Sequence, residues 1–233
     1  MIGALVLAAA LAASPAASLA AETCTVDDAT MTWGFKESFR SYISGTIANG
    51  EWTVSDGATY ETPYFGFSGG TGTFTDGAGS VSFEGAIEFT GHGGILDTTV
   101  SNPRLRFDGE EAVLYLDISG TTQEGEPVDD EGVRFATVDL GSLVGSGNGF
   151  RLVDAEVTLT AEGAAAFGTY ESGERLDPVS ASIPTVAACN PMDKPGSLVP
   201  RILETVLPGI VLVLVASAVL VVVLLARRGR RLA

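Results

Sequence analysis

The sequence predicts a mainly β protein, an antiparallel β-sandwich with one or two short helices and a C-terminal transmembrane helix. Apolar and polar residues alternate in short runs between residues 51 and 160, as in half-buried strands. The 29 glycines fall mostly between those runs, where they mark turns. Residues 205–226 are apolar and uncharged. Short strands with frequent turns fit a β-sandwich or a barrel, and residues 22–189 are enough for one hydrophobic core.

Residues 1–20 are predicted to be a secretory signal peptide. An apolar run ends at small residues, Ser18 and Ala20, just before the first acid, Glu22, as at a signal cleavage site. The basic residues that usually open such a segment are missing, which leaves the true translation start open. Cys24 does not indicate a lipoprotein, because the residues before it are not the small apolar ones that a lipid-attachment signal needs.

The predicted strands lie in the middle of the chain. The clearest alternating runs are residues 81–89, 114–118, 133–135 and 153–159. Glycine-containing hairpin turns are predicted at residues 69–72, 76–77 and 108–109.

Residues 32–43 predict a helix in this β-rich chain. Phe35, Phe39 and Tyr42 recur at i, i+4 and i+7, so a helix would carry three aromatic rings on one face. Such a face would suit a flat apolar ligand. An amphipathic helix whose aromatic residues belong to the core is the alternative.

Two cations, Lys36 and Arg40, flank that aromatic face one helical turn apart. They suit a ligand with acidic edges, whereas in an ordinary amphipathic helix they would only be solvated. Their presence is unusual because the surrounding domain is strongly acidic.

Residues 124–131 contain five acids in eight positions and are a candidate calcium-binding loop. They lack the regular ligand spacing of calcium-binding loops, so a solvated hairpin tip is the preferred interpretation.

The two apolar ends predict the topology. Residues 205–226 suffice to cross a bilayer core of roughly 30 Å at about 1.5 Å per residue. The tail, 227–233, contains four arginines, as on the cytoplasmic side of a membrane anchor. We therefore expect a single-pass cell-membrane protein in which domain 22–189 is extracellular and a proline-rich stalk, 190–204, joins it to the anchor.

The charge of the exported part excludes nucleic acid as a partner. All 29 acids precede the membrane segment, against the nine basic residues that remain once the four C-terminal arginines are set aside. The resulting charge of about −20 has the wrong sign for phosphate binding.

Cys24 and Cys189 are the two cysteines of the chain and lie near the two ends of the exported domain. An extracellular environment is oxidising, so we expect a disulfide between them. Two free thiols are the alternative.

The chain lacks the usual signatures of an enzyme, and none is expected here. With His92 as the single histidine, neither a common zinc site nor a bis-histidine haem can be assembled. No Gly-x-Ser-x-Gly motif occurs, and the glycine run 69–72 has no lysine after it as a phosphate-binding loop requires. Acids are too numerous for a glycosidase pair to be identified.

His92 lies among three glycines, Gly91, Gly93 and Gly94, at the end of an alternating strand. Glycine allows a ligand or another backbone to approach closely, so His92 is a candidate binding residue. The alternative is an exposed loop residue without a function.

Four segments together resemble a known family. Residues 33–43 (WGFKESFRSYI), 91–97, 101–105 and 167–180 are similar, in this order, to motifs of HtaA-type haemin-binding domains of actinobacterial cell surfaces. The first motif is the most specific, and the resemblance covers residues 32–183. This chain holds one copy of the domain, whereas some relatives hold two.

The resemblance implies a β-sandwich that binds ferric haem b through Tyr42, whose phenolate would be the axial iron ligand. His92 would support that ligand by a hydrogen bond, and Tyr170 matches a later tyrosine of the family. Phenolate is a hard ligand suited to ferric iron, and a supporting imidazole N–H is a familiar feature of metal sites.

Other residues of the first motif have expected roles around the same ligand. Phe35 and Phe39 are expected to pack on or beside the porphyrin. Lys36, Ser38 and Arg40 are expected to meet the propionates, because carboxylates pair well with such donors.

The resulting hypothesis is a membrane-anchored surface protein that captures haem and relays it toward an importer for iron acquisition. Its partners would be haem, other haem-binding surface proteins or components of the importer, and the membrane. The alternative is a structural or adhesive β-sandwich that binds glycan or protein, and a calcium-dependent enzyme is a remote third.

Overall fold

Twelve strands and two short helices make up the part of the chain that the computed structural model describes, which comprises residues 23–108, 111–146, 148–186, 189 and 191. The strands are β1 (Thr23–Trp33), β2 (Glu51–Ser55), β3 (Thr59–Glu61), β4 (Tyr64–Thr75), β5 (Ala78–Ser82), β6 (Ala86–Gly91), β7 (Leu96–Phe107), β8 (Ala112–Thr121), β9 (Pro127–Val138), β10 (Leu143–Ser146), β11 (Gly149–Leu159) and β12 (Arg175–Pro184). The helices are α1 (Glu37–Ser44) and α2 (Ala161–Phe167).

All strand pairings are antiparallel, and eight of the strands close on themselves. The order around the closed sheet is β1, β4, β5, β7, β8, β9, β11 and β12, which pairs again with β1. β6 continues the edge of β7 beyond β5 and carries β2 outside it, while β3 and β10 extend β4 and β11. The prediction of a mainly β, antiparallel and sandwich-like fold with two short helices is confirmed.

Buried aromatic rings form two clusters inside the sheet. One cluster joins Phe74, Phe107 and Phe150, with ring centroids 5.3–5.6 Å apart. The second contains the rings of Trp33, Phe35, Phe39, Phe89, Phe135 and Phe167. Helix α1 packs on this second cluster and contributes Phe39 to it.

The predicted disulfide between Cys24 and Cys189 is confirmed. The two Cα atoms are 6.1 Å apart and 165 residues apart in sequence, within the usual range for a disulfide. Cys24 pairs with Phe74 in the β1–β4 register. The bond therefore closes the domain at the end where the first aromatic cluster lies.

The predicted helix 32–43 is wrong at its beginning. β1 continues through Trp33, whose ring is buried in the second cluster. Phe35 then adopts a left-handed backbone with φ of 63°, which a helix cannot include. The helix begins only at Glu37, so Phe35 is not on its aromatic face.

Two further local predictions, both at segments that contain glycine, are wrong. The run 81–89 is not one strand, since the chain breaks between β5 and β6 at Gly85, where φ is 141°. The glycine run 69–72 lies inside β4 and is not a turn. A Cβ at Gly72 would collide with the carbonyl of Ser80 on β5, so close approach of the strands explains that glycine.

The remaining comparisons concern one predicted turn, the acidic segment and two elements that the sequence analysis does not predict. The turn at residues 76–77 connects β4 to β5 as predicted, and the acidic segment 124–131 begins in the β8–β9 connection but runs on into β9. β1 and α2 were not predicted. α2 is short and follows its N-cap residue, Thr160, whose side chain accepts a hydrogen bond from Gly163 N.

Several predicted segments lie outside the described residues: the signal peptide 1–20, the transmembrane helix 205–226, the tail 227–233 and, apart from residue 191, the stalk 190–204. Within the described part, neither helix is long and apolar enough to span a membrane.

Candidate functional site

Helix α1 brings Tyr42 to the surface beside His92. Phe39 and Ile43 are fully buried beneath the helix, whereas Tyr42 is half-buried at its edge. The Tyr42 hydroxyl and His92 Nε2 form a hydrogen bond across 50 residues of sequence. The two residues singled out from separate motifs are therefore direct partners.

His92 is held in a tight turn between β6 and β7. Its own φ is 53°, and the following Gly93 and Gly94 have φ of 65° and 94°, so three successive residues are left-handed. The backbone N–H of His92 donates to the Ala48 carbonyl at 2.7 Å. A non-glycine residue in this conformation is strained, and such strain is common at functional sites.

The glycines of this turn also keep the surface low. A Cβ at Gly93 or Gly94 would meet no atom within 4 Å, so their positive φ, and not crowding, accounts for glycine here. The result is a bare surface next to His92.

Buried rings support the site from below. The Phe39 ring lies 6.2 Å from that of Tyr42 and 6.5 Å from that of Tyr170, measured between centroids. Phe167, the last residue of α2, stacks on Tyr170 at 6.4 Å with an interplanar angle of 9°. Tyr42 and Tyr170 therefore share the buried Phe39 ring as a packing partner.

Two exposed isoleucines are sequence neighbours of residues in this site. Ile47 is 75% exposed and Ile95 is 55% exposed. Ile47 precedes Ala48, to which His92 is hydrogen-bonded, and Ile95 follows the His92 turn. The sequence assigns neither isoleucine a role, because single exposed apolar residues are common on protein surfaces.

Ser38 and Tyr170 form the polar side of the same region. The Ser38 hydroxyl lies 3.2 Å from the Tyr170 hydroxyl. Lys36 Nζ lies 5.6 Å from the centroid of the Tyr170 ring and pairs with Glu174 at 2.6 Å. The later tyrosine motif is therefore next to the first motif in space, as expected for one site.

Arg40, which is predicted to meet a propionate, is paired inside the protein in this structure. It is only 8% exposed and points into the protein, where its Nη2 donates to Asp177 at 2.9 Å and its Nη1 to the Pro63 carbonyl at 2.7 Å. Both contacts use the groups that a propionate would need.

Phe35 and Phe39 do not line the surface either. They are 1% and 0% exposed, and their rings pack against Phe89 and Phe167 in the core. The Phe39 ring packs against Tyr42, and the Phe35 ring packs in turn against Phe39.

Asp177 lies in the family-like segment 167–180, but the sequence assigns it no role in this region. It contacts residues of the first motif although it lies 137 to 144 residues away in sequence. No local pattern indicates such a contact. Within the described residues, no group of three or more His, Cys, Asp or Glu side chains could hold a metal ion.

Comparisons with known proteins identify the family of this chain. The profile of the HtaA family, described as Htaa, matches residues 28–182. The crystal structure of the C-terminal domain of HtaA from Corynebacterium glutamicum is 34% identical, with a TM-score of 0.65, over 70% of this chain and 99% of that one. The N-terminal domain of the same protein is also 34% identical, with a TM-score of 0.56, over 68% of this chain and 97% of that one.

A third solved structure shares the fold. The heme binding protein HtaB from Corynebacterium glutamicum is 24% identical, with a TM-score of 0.55, over 70% of this chain and 97% of that one. No curated protein matches the sequence. The family profile covers more than half of the chain and both HtaA domains are matched over nearly their whole length, so this chain belongs to the HtaA family.

Proposed function

We propose that this protein is a membrane-anchored extracellular haem-binding protein that captures ferric haem through Tyr42 and relays it toward a haem importer. The observation that carries the proposal is the hydrogen bond between the Tyr42 hydroxyl and His92 Nε2. Membership of the HtaA family supports it.

The chemistry of the pair fits a ferric ion. Phenolate oxygen is a hard anionic donor and ferric iron is a hard cation. Binding displaces the phenol proton, and an N–H donated by His92 then stabilises the negative oxygen. Haem b supplies the iron and a large flat apolar surface when it is bound.

The isoleucines fit the apolar part of the ligand. Ile47 and Ile95 are largely exposed, and covering them with a porphyrin would remove apolar surface from water. They take the contact role that the sequence reasoning assigned to Phe35 and Phe39.

The polar side of the site fits the propionates. Ser38 and Tyr170 offer two hydroxyl groups 3.2 Å apart, and both can donate. Lys36 adds a positive charge close to Tyr170. Its partner Glu174 has a side chain that is 42% exposed, so the ion pair lies near solvent, where a ligand carboxylate can compete for the ammonium.

The relay and the location rest on the sequence. A single oxygen ligand on an open surface holds haem without enclosing it, which suits transfer to another protein. The signal peptide 1–20 and the apolar segment 205–226 predict an extracellular domain on a membrane anchor. Protease added to intact cells should remove the domain, and full protection would contradict this location.

Haemin titration of the purified full-length protein tests the proposal. We expect a coloured complex with the charge-transfer absorption of a phenolate bound to ferric iron. Tyr42→Phe keeps the ring on Phe39 but removes the ligand oxygen, so that absorption should disappear while the fold is retained. Tyr115→Phe removes a tyrosine oxygen from β8 and is the matched control. An unchanged spectrum in Tyr42→Phe would contradict the proposal.

A further inference from the structure

We propose that Asp177 is a positioning residue of the site: its carboxylate on β12 sets the placement of α1 and hence of the Tyr42 hydroxyl opposite His92. The inference rests on the proposed function for its binding readout. Its structural readout is independent of any ligand.

Helix α1 has no N-terminal cap of its own. Lys36 occupies the cap position, and its side chain makes no hydrogen bond to the helix. The first helical N–H, that of Glu37, donates to Asp177 Oδ1 at 2.9 Å. The first N–H groups of a helix need such acceptors, and in this eight-residue helix the acceptor comes from a distant strand.

The other carboxylate oxygen holds the next turn. Asp177 Oδ2 accepts from Arg40 Nη2 at 2.9 Å. The Arg40 guanidinium is largely buried, and its Nε has no hydrogen-bond partner. The guanidinium also donates to the Pro63 carbonyl, which is neutral. Among the described residues, Asp177 is therefore the carboxylate that balances the positive charge of Arg40.

The backbone of Asp177 contacts the same segment. Its N–H donates to the Phe35 carbonyl at 3.0 Å, and its carbonyl accepts from Trp33 Nε1 at 2.9 Å. A Cβ at Gly34 would collide with the Asp177 carboxylate. All four hydrogen-bonding groups of one residue are therefore directed at residues 33–40, the segment that leads into and forms the first turn of α1.

Placement of α1 matters because the partner of Tyr42 is fixed separately. His92 is held in the left-handed β6–β7 turn, and Tyr42 must reach it from the helix. Ligand groups must be held within about 0.5 Å of their working geometry. Loss of the Asp177 contacts should loosen the helix and with it the Tyr42–His92 hydrogen bond.

The experiment compares Asp177→Ala and Asp177→Asn with wild type in the full-length protein. Without haemin, we expect faster amide hydrogen exchange confined to residues 37–44. With haemin, we expect a dissociation constant raised about tenfold or more, as for other residues that orient ligands. Asp177→Asn keeps an acceptor for Glu37 N but lacks the charge for Arg40, and its effect should be intermediate.

Two controls separate positioning from general stability. Val157→Ala creates a cavity in β11 and should lower the melting temperature without changing exchange in α1 or haemin affinity. Glu174→Gln removes the partner of Lys36 and should leave exchange in α1 unchanged. Unaltered α1 exchange in Asp177→Ala would overturn the inference, as would faster exchange spread evenly over the strands as well as α1.

The two proposals fail in different ways. If wild type binds no haemin, the proposed function is wrong. Locally faster exchange in Asp177→Ala would still support the positioning of α1. If wild type binds haemin and Asp177→Ala binds it equally well, the positioning inference is wrong and the proposed function stands.

Discussion

At the scale of single residues, Tyr42 and His92 differ in how they are held. Tyr42 lies on a regular helix above the buried Phe39 ring, whereas His92 occupies a left-handed position next to two left-handed glycines. Packing on Phe39 therefore fixes the position of Tyr42, whereas the left-handed backbone of the β6–β7 turn fixes that of His92. This difference decides which substitutions test each residue cleanly.

His92→Asn is the informative substitution at the histidine. Asparagine tolerates the left-handed backbone better than alanine does, but it is too short to reach Tyr42. Loss of a hydrogen bond to a charged oxygen costs roughly 1.5–3 kcal/mol, so haemin should bind about ten- to a hundredfold more weakly with its phenolate absorption retained. Titration followed by absorbance measures both quantities. Loss of that absorption in His92→Asn, together with its retention in Tyr42→Phe, would identify the histidine as the ligand.

The isoleucines give a second residue-scale prediction. Ile47→Ser and Ile95→Ser alter exposed side chains, so the free energy of unfolding should change by less than about 0.5 kcal/mol. Each should weaken haemin binding by about 1 kcal/mol, because less apolar surface is covered. Val153→Ser, at an exposed valine on β11, is the matched control. Equal affinity in all three variants would exclude apolar contacts at these positions.

At the scale of elements, two short helices bring together motifs that are far apart in sequence. α1 carries Ser38 and Tyr42, while α2 ends at Phe167 and is followed by Tyr170. Neither helix is long enough to be stable alone. Each depends on a contact with the sheet at its N-terminus: Asp177 for α1 and, for α2, Thr160, whose backbone N–H donates to the Phe135 carbonyl.

Thr160→Ala should destabilise α2 and, through Phe167, the aromatic packing beneath Tyr170. The Thr160 hydroxyl accepts from Gly163 N at 3.0 Å and contacts the Phe135 carbonyl at 3.1 Å. Loss of such a cap costs about 1–2 kcal/mol, to be measured by denaturant unfolding. Thr160→Ser keeps the hydroxyl and should be close to wild type. A variant Thr160→Ala as stable as wild type would show that packing alone holds α2.

At the scale of the whole molecule, the site and the disulfide lie at different ends of β1. Cys24 is near the start of that strand and Trp33 ends it, immediately before the segment that leads into α1. The closed sheet connects the two ends. The disulfide should therefore affect the stability of the domain more than its binding of a ligand.

Replacement of both cysteines by serine tests this separation. Opening a loop of this length should cost about 2–5 kcal/mol of unfolding free energy, while haemin affinity should stay within about twofold of wild type. Thiol labelling of denatured, unreduced wild-type protein should detect no free cysteine. Two labelled cysteines in wild type, or a large loss of affinity in the double variant, would contradict the interpretation.

The β class of the fold, the disulfide and the candidate site residues can all be predicted from the sequence alone. Alternation of apolar residues depends only on the pleat of a strand, so the β class could be predicted, and the two cysteines indicated their own disulfide. Tyr42 and His92 are predicted as partners from motifs that resemble one family, and the structure joins them by a hydrogen bond. Tyr170 is predicted from a weaker motif.

The tertiary structure decided which side chains face outward and what holds α1. Phe35 and Phe39 are core residues because β1 continues through Trp33 and a left-handed Phe35 delays the helix. Arg40 turns inward because Asp177, 137 residues away, supplies a partly buried carboxylate. A local pattern reports the period of a segment, whereas burial and ion pairing depend on which distant segment packs against it.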